Sequence, residues 1–277
     1  MSANVPRYAV IGHPVAHSLS PRLHALFAAQ TGIAQAYTTI DAAPEAFADT
    51  LRGFFAQGGR GANVTLPHKA AACALADVHS ATARRLGVAN VLTALPDGRI
   101  EGDSNDGEGM LAGMRRHAGI EPRGSEVLLL GAGGAARAAA FALLDGGIRG
   151  VTIANRTPER AQALAAALAG AARVPVVRWE DLASRPPFDL IVNATSAGVQ
   201  HAALALPSSL AHARTAAYDL SYGAAAQAFI DWARRAGCAS ACDGLGMLVE
   251  TAAASFERWH GVRPDAYAAL RSLRDRA

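Results

Sequence analysis

The run Glu126-Val127-Leu128-Leu129-Leu130 passes without a break into Gly131-Ala132-Gly133-Gly134-Ala135-Ala136, and an alanine-rich stretch follows. A short apolar run of that kind reads as a buried strand, and the alanines read as a helix packed closely on it. Between them the spacing G-x-G-x-x-A leaves little choice of local fold. Gly131 allows a tight turn, Gly133 lets a ligand approach the backbone, and Ala136 lets helix and strand lie close. The free N–H groups of the helix start then face outward and favour an anion. A glycine turn needs no ligand on its own account. Set between a strand and a helix, it points to a dinucleotide whose pyrophosphate lies over Gly131, Ala132, Gly133, Gly134 and Ala135.

The next strand, 151–154, indicates which dinucleotide. NAD-binding chains usually end this strand in an acid that bonds the ribose 2′-hydroxyl. Here the strand runs into Asn155-Arg156-Thr157, with Arg160 one turn along the following helix. Two guanidiniums with Asn and Thr donors suit a 2′-phosphate, which an acid would repel. NADP is therefore expected rather than NAD. A later strand, 189–193, leads into Asn193-Ala194-Thr195-Ser196-Ala197-Gly198. Thr195 in that turn is a candidate for the pyrophosphate or nicotinamide side, although an ordinary connection would look the same.

Strand-like and helix-like segments alternate along the chain, which predicts an α/β fold with mainly parallel sheets covered on both faces. Expected strands lie at 7–12, 36–40, 61–65, 90–95, 99–101, 126–130, 151–154, 174–177, 189–193 and 216–220. Expected helices lie at 20–31, 45–57, 70–86, 134–144, 158–168, 225–236, 246–259 and 265–274, with another opening after the Gly- and Asp-rich stretch 102–109 and running to about 118. The Pro122-Arg123-Gly124 break precedes the glycine-turn unit. The expected division is a discontinuous substrate-binding domain, 1–104 and 240–277, around a Rossmann-type NADP-binding domain, 105–239.

Of 26 basic residues, 25 are arginines and one is a lysine, Lys69. Arginine is always protonated, whereas a lysine amine exchanges a proton when its surroundings allow. The one lysine thus stands out as a candidate for proton transfer. The net charge of +3 comes from scattered arginines, with no basic run or aromatic-basic interleaving of the nucleic-acid kind. No apolar stretch approaches a membrane span. The histidines, His13, His17 and His68 among them, show no metal-ligand spacing, so no metal is expected. Cys73, Cys238 and Cys242 fit neither a redox pair nor a zinc ribbon. Residues 1–7 lack the charged and apolar regions of a signal peptide, so a cytoplasmic location is expected.

Polar clusters mark the first half and the C-terminal part: His17-Ser18-Leu19-Ser20-Pro21, Asn63-Val64-Thr65-Leu66-Pro67-His68-Lys69, Gly87-Val88-Ala89-Asn90, Gly102-Asp103-Ser104-Asn105-Asp106-Gly107 and Asp243-Gly244-Leu245-Gly246-Met247-Leu248-Val249. With the Gly-Ala-Gly-Gly-Ala and Asn-Arg-Thr motifs, this order resembles the shikimate dehydrogenase family from Tyr8 to Pro264. The resemblance implies reversible NADP-dependent reduction of 3-dehydroshikimate to shikimate, on the route to chorismate and the aromatic amino acids. It also implies an active site between a substrate domain and a nucleotide domain. Lys69 and Asp106 would be the catalytic pair. Ser18 and Ser20 would bind the substrate carboxylate, and Asn63, Thr65, Asn90, Tyr222 and Thr251 would line the substrate site. Leu220, Gly244 and Met247 would lie beside the nicotinamide.

The chain departs from the family pattern at Val91 (usually Thr), at Ser104-Asn105 (usually Asn-Thr), at Ala225-Ala226 (often Thr-Pro) and at Thr251 (usually a substrate-binding Gln). Two alternatives therefore stay open. One is a paralogue acting on quinate, an aminoshikimate or another cyclic hydroxy acid; the other is a non-catalytic NADP-binding regulatory module. Monomer and homodimer are equally compatible with the sequence.

Overall fold

A computed structural model describes residues 5–168, 174–198 and 205–275; the leading residues 1–4, included in the signal-peptide reading, lie outside these. Contacts divide the chain into one unit of Met1–Asp106 with Val249–Ala277 and a second of Gly107–Leu248.

The first unit holds strands β1 (Arg7–Gly12), β2 (Ala36–Asp41), β3 (Gly59–Val64), β4 (Val78–His79), β5 (Val91–Ala94) and β6 (Ile100–Asp103). They form one sheet in the order β2-β1-β3-β5-β6-β4. β1 pairs parallel with both β2 and β3, while β5 runs antiparallel to β3 and β6. Helices α1 (Ser20–Thr31), α2 (Phe47–Ala56), α3 (Lys69–Leu75) and α4 (Ala81–Leu86) connect these strands. The core under the sheet gathers Ile11, Phe47, Leu51, Phe54, Val64 and Leu92, all of them buried. Burial of such side chains contributes roughly 1.5–3 kcal/mol each, which makes this sheet a firm support for the strand ends.

In the second unit, α5 (Asp106–Gly113, its first residue belonging to the first unit) ends in a π turn at Met114–Ala118. Strands β7 (Glu126–Leu130), β8 (Gly150–Ala154), β9 (Val176–Val177), β10 (Leu190–Asn193), β11 (Ala216–Asp219) and β12 (Ser240–Cys242) follow, with helices α6 (Gly134–Asp145), α7 (Pro158–Leu168) and α8 (Ala224–Arg235). Every pairing is parallel, in the order β12-β11-β10-β7-β8-β9. This is the doubly wound order of dinucleotide-binding sheets, in which the chain reverses direction across the sheet between β7 and β10. α6 buries Ala136, Ala138, Ala139 and Ala140, small side chains that let the helix axis lie close, together with Phe141 and Leu143. α8 buries Ala226, Phe229, Trp232 and Ala233, an apolar stripe at helical spacing. α9 (Leu245–His260) and α10 (Ala266–Arg274) end the chain. Among the described residues no helix is long and apolar enough to cross a membrane, and no disulfide joins any of the three cysteines.

One expectation needs correction. The helix expected at 70–86 is two helices separated by β4. Asp77 N–H donates to the Ile100 carbonyl at 2.8 Å and Ser80 N–H to the Gly102 carbonyl at 3.0 Å, so the interruption is built by sheet pairing. Alanine content alone hides such a break. By contacts, the crossings between units come at 106/107, where Asn105 and Asp106 are bonded to Asn90, and at 248/249, beyond β12, which joins β11 through the register Ala216↔Ser240.

Ser80 restarts the helix after the break. Its Oγ accepts from Ala83 N–H at 3.0 Å as the N-cap of α4 and donates to Asp103. Ser80→Ala is expected to lower unfolding stability by about 1–2 kcal/mol in urea titrations. A change below a few tenths would show that this cap does not hold the β4–α4 junction.

Candidate functional site

In the first unit β3 ends at Val64, and residues 65–68 turn the chain into α3, which Lys69 opens. Thr65 N–H donates to Ile11 O at 2.9 Å, His68 N–H to Thr65 O at 3.0 Å, and Ala89 N–H to Lys69 O at 2.9 Å. The backbone under the lysine is thus tied to two neighbouring segments. Its ammonium meets Asp106 with Nζ···Oδ2 2.5 Å, the two side chains only 13% and 7% exposed. The second carboxylate oxygen, Oδ1, accepts from Asn90 Nδ2 at 2.9 Å. That Nδ2 also donates to Asn105 Oδ1 at 2.7 Å, and Asn90 Oδ1 accepts from Asn105 N–H at 2.9 Å.

The web continues. Asn105 Nδ2 donates to Ser255 Oγ, and Asn63 Nδ2 donates to the same oxygen at 2.8 Å. Asn63 Oδ1 accepts from the Tyr37 hydroxyl at 2.7 Å. Burial pushes the Tyr37 hydroxyl up, with a hydrogen bond to Ser20 partly opposing the shift. His24 stacks on the Tyr37 ring at 3.9 Å and 8°. Burial first, and the nearby His260 second, lower its pKa to about 3, so it packs as a neutral ring. Ser18 Oγ accepts from Ser20 N–H at 3.3 Å at the start of α1.

Lys69, Asp106, Asn90 and Asn63 therefore belong to one hydrogen-bonded web, which Ser20 joins through Tyr37. Thr65 holds the turn through its backbone. Thr251 on α9 enters the web through its carbonyl, which accepts from Asn105 Nδ2 at 3.1 Å and Ser255 Oγ at 3.0 Å. Its own hydroxyl is buried without a partner among the described residues. Tyr222 lies in the second unit, in the turn after β11. Tyr37, His24 and Ser255 stand in no sequence motif, and Asn105 shows in the sequence only as a departure within the Gly102–Gly107 motif; the packing of β2, α1, the 105–106 turn and α9 brings the four together.

In the second unit the glycine turn joins β7 to α6. Gly131 has φ +108°, and a Cβ there would lie 2.8 Å from the Ala194 carbonyl oxygen, so the residue must be glycine on both counts. Gly133 differs: a Cβ there would meet no protein atom within 4 Å. Protein packing does not exclude a side chain at 133, and the open space lies where a phosphate would approach the start of α6. Beyond β8, Asn155 Nδ2 donates to Thr157 O at 2.9 Å and shapes the turn. Arg156 and Arg160 are both exposed, and neither is paired with a carboxylate among the described residues. Ala132, Gly134 and Ala135 are half-buried around the turn. These residues fit a dinucleotide carrying a 2′-phosphate.

At the carboxyl ends of β10 and β11 the loops are clamped by a buried acid. Asp219 Oδ2 accepts from Asn193 Nδ2 at 2.7 Å, and its Oδ1 accepts from Ser221 N–H at 2.7 Å. Asn193 Oδ1 accepts from Thr195 Oγ1 at 2.8 Å and its N–H at 3.2 Å. The Leu220 N–H donates to Asn193 O at 2.9 Å, and Gly244 N–H to Ser221 O at 2.7 Å. Leu220 is half-buried and Gly244 buried at these loops, and Met247 is buried near the start of α9.

Desolvation raises the Asp219 pKa from 3.8 to about 6, with the hydrogen bonds from Ser221 and Asn193 acting against it. The folded state thus holds this proton more tightly than the unfolded chain. The group's contribution is fully favourable below pH 4 and is lost as pH rises through about 6. Asp219→Asn removes that dependence. Between pH 4 and 7 the stability of the unmodified protein should therefore fall relative to the variant by up to about 3 kcal/mol in parallel urea titrations. A difference between the two proteins that is flat across that range would show that the carboxyl is not held neutral.

Comparison with known proteins adds independent findings. Residues 10–92 match a family described as the shikimate dehydrogenase substrate binding domain, and residues 115–205 match one described as shikimate / quinate 5-dehydrogenase. A shikimate dehydrogenase (NADP(+)) from Xanthomonas campestris pv. campestris (strain B100) is 55% identical over 97% of this chain and 96% of its own length. One of the same name from Stenotrophomonas maltophilia (strain K279a) is 52% identical over 97% of this chain and 95% of its own. The shikimate 5-dehydrogenase of Thermus thermophilus, solved in complex with NADP(H) and shikimate, has a TM-score of 0.84. It is 35% identical to this chain and covers 99% of it, with 100% of the other chain aligned. The motifs, the parallel strand order and these likenesses along almost the whole length place the chain in the shikimate dehydrogenase family.

Proposed function

We propose that this chain is an NADP-dependent oxidoreductase that reversibly reduces 3-dehydroshikimate to shikimate. The observation that carries the reading is the buried ion pair of Lys69 with Asp106, formed by the one lysine in the chain. The relatives named for this reaction, aligned along nearly the whole chain, support the substrate and the cofactor.

Reducing a ketone to an alcohol requires a proton at the carbonyl oxygen as the carbon accepts hydride. NADP(H), when bound, supplies or accepts that hydride. Lys69 Nζ carries the proton that the oxygen needs, and Asp106 holds the ammonium in place. In the reverse direction Lys69 takes the hydroxyl proton as the carbonyl forms. Ser18 and Ser20, two hydroxyl-bearing positions at the start of α1, would bind the substrate carboxylate where the helix dipole also favours an anion. Asn63, Thr65 and Asn90 stand at the strand ends around Lys69 and would meet the ring hydroxyls, with Thr251 and Tyr222 completing the set. The turn 131–135 would hold the pyrophosphate, and Asn155, Arg156, Thr157 and Arg160 the 2′-phosphate. Thr195, Leu220, Gly244 and Met247 would flank the nicotinamide. Domain limits of 1–106 with 249–277 for substrate and 107–248 for nucleotide go with this reading. With none of the three cysteines in a disulfide, the cytoplasm is the proposed compartment.

A second reading, quinate as the preferred acid, has one observation in its favour. The Thr251 hydroxyl is buried and unpartnered among the described residues, so the site retains a polar group for a further ring hydroxyl.

Lys69→Ala is expected to lower kcat with shikimate by about 10²–10⁴-fold while leaving the KM for NADP near its starting value. Retention of turnover within fivefold would remove the lysine from the chemistry. Arg156→Ala should raise the KM for NADP about tenfold or more and barely alter that for NAD, because only the former loses a charge-assisted phosphate contact. Equal changes for both would contradict the 2′-phosphate assignment.

A further inference from the structure

We propose that Asn105 is a positioning residue, one that fixes the catalytic carboxylate through Asn90 and is itself fixed by Ser255 of α9. The inference rests on the proposed roles of Lys69 and Asp106 and adds to them. Asn105 lies between β6 and α5 and is 7% exposed, while Asn90 is 4% exposed and Ser255 fully buried.

Every polar hydrogen of the two amide groups is spoken for. The Nδ2 of Asn90 gives one hydrogen to Asp106 Oδ1 and the other to Asn105 Oδ1. The Nδ2 of Asn105 gives one to the Thr251 carbonyl and the other to Ser255 Oγ, each at 3.1 Å. The Asn105 N–H returns a bond to Asn90 Oδ1. Asn90 therefore cannot turn its amide without breaking three bonds, two of them to Asn105. With Oδ1 of Asp106 so held, Oδ2 is the oxygen left for Lys69, 2.5 Å away.

Asn105 touches neither the lysine nor the carboxylate with its side chain. The side chain's effect reaches them through the Asn90 amide, while the residue's backbone adjoins Asp106 directly. A fully paired buried network of this kind gives modest net stability but strict orientation. Small misplacement of a reacting group is costly in rate. The bond from Ser255 matters in the same way, since Ser255 Oγ also receives Asn63 and donates to Thr251 O, so its position on α9 is set from three sides.

The test measures steady-state turnover of shikimate with NADP for Asn105→Ala, Ser255→Ala, the double variant and Lys69→Ala, with thermal unfolding of each protein recorded alongside. Asn105→Ala is expected to lower kcat roughly 10–100-fold, with the KM for NADP within twofold of the unmodified value. At saturating shikimate Ser255→Ala should lower kcat by roughly 3–10-fold, and the double variant should be no worse in kcat than Asn105→Ala within twofold, because the serine's hold on the carboxylate runs through the asparagine; its bond to Asn63 is read separately in the KM for shikimate. A folded Asn105→Ala protein with unchanged kcat, or multiplying losses in the double variant, would overturn the proposal. A lower unfolding temperature with intact kcat would do the same, since that is what a structural role alone produces. Should Asn105→Ala not fold, Ser255→Ala decides, and unchanged kcat there counts against the inference. Lys69→Ala separates the two levels. If it keeps its turnover, the reading of the active site fails; if it loses turnover while Asn105→Ala does not, only the positioning role fails.

Discussion

A buried ammonium against a buried carboxylate is the constraint around which the first unit is arranged. Removing either charge from water is costly, and a mutual attraction repays the cost only if the remaining hydrogen-bonding capacity is met. Here the Lys69–Asp106 pair is met on the carboxylate side by Asn90, and Asn90 in turn by Asn105. Ser255 and Asn63 carry the network on to Tyr37 and α1. The sheet order explains how these residues come together. Asn63 sits near the end of β3, Asn90 just before β5, and Asp106 just after β6, three neighbouring strands. The antiparallel turn of β5 between β3 and β6 brings those ends to one edge of the sheet.

The second unit solves a different problem, holding a large anion with little side-chain chemistry. The parallel order places the ends of β7 and β10 side by side at the point where the chain reverses across the sheet. Gly131 is pressed against the Ala194 carbonyl, so the turn after β7 and the turn after β10 fix each other. Asp219 then ties the β10 and β11 loops through Asn193 and Ser221. Asp219 is fully buried there, and that desolvation raises its carboxyl to about 6. Open space surrounds Gly133, and the guanidiniums of Arg156 and Arg160 are exposed, so the fold itself does not use them.

Much of this arrangement is visible in the chain because it depends on local chemistry. The glycine turn, the Asn-Arg-Thr ending of β8 and the single lysine each announce themselves by residue type and spacing. The long strands do so by apolar runs. β4 and β12 do not, since two or three residues are too few to show alternation and their pairing is set by distant partners. The continuous helix expected at 70–86 fails for the same reason: Asp77 and Ser80 bond to β6, which no window of neighbouring residues contains. Tyr37 and Ser255 escape notice, and Asn105 shows only as a changed residue within its motif, because their importance lies in what they touch. An asparagine in a turn and a serine in an alanine-rich helix carry no sign of bonding each other across 150 positions.

The account as a whole stands on catalysis by the unmodified chain, and one measurement reaches it directly: the rate of NADPH formation from NADP with shikimate, with quinate, and with no acid added. Turnover that is fast with shikimate, slower with quinate and absent without an acid is the predicted result. NADP binding with no NADPH formed from either acid would contradict the account and leave a nucleotide-binding protein without the proposed chemistry.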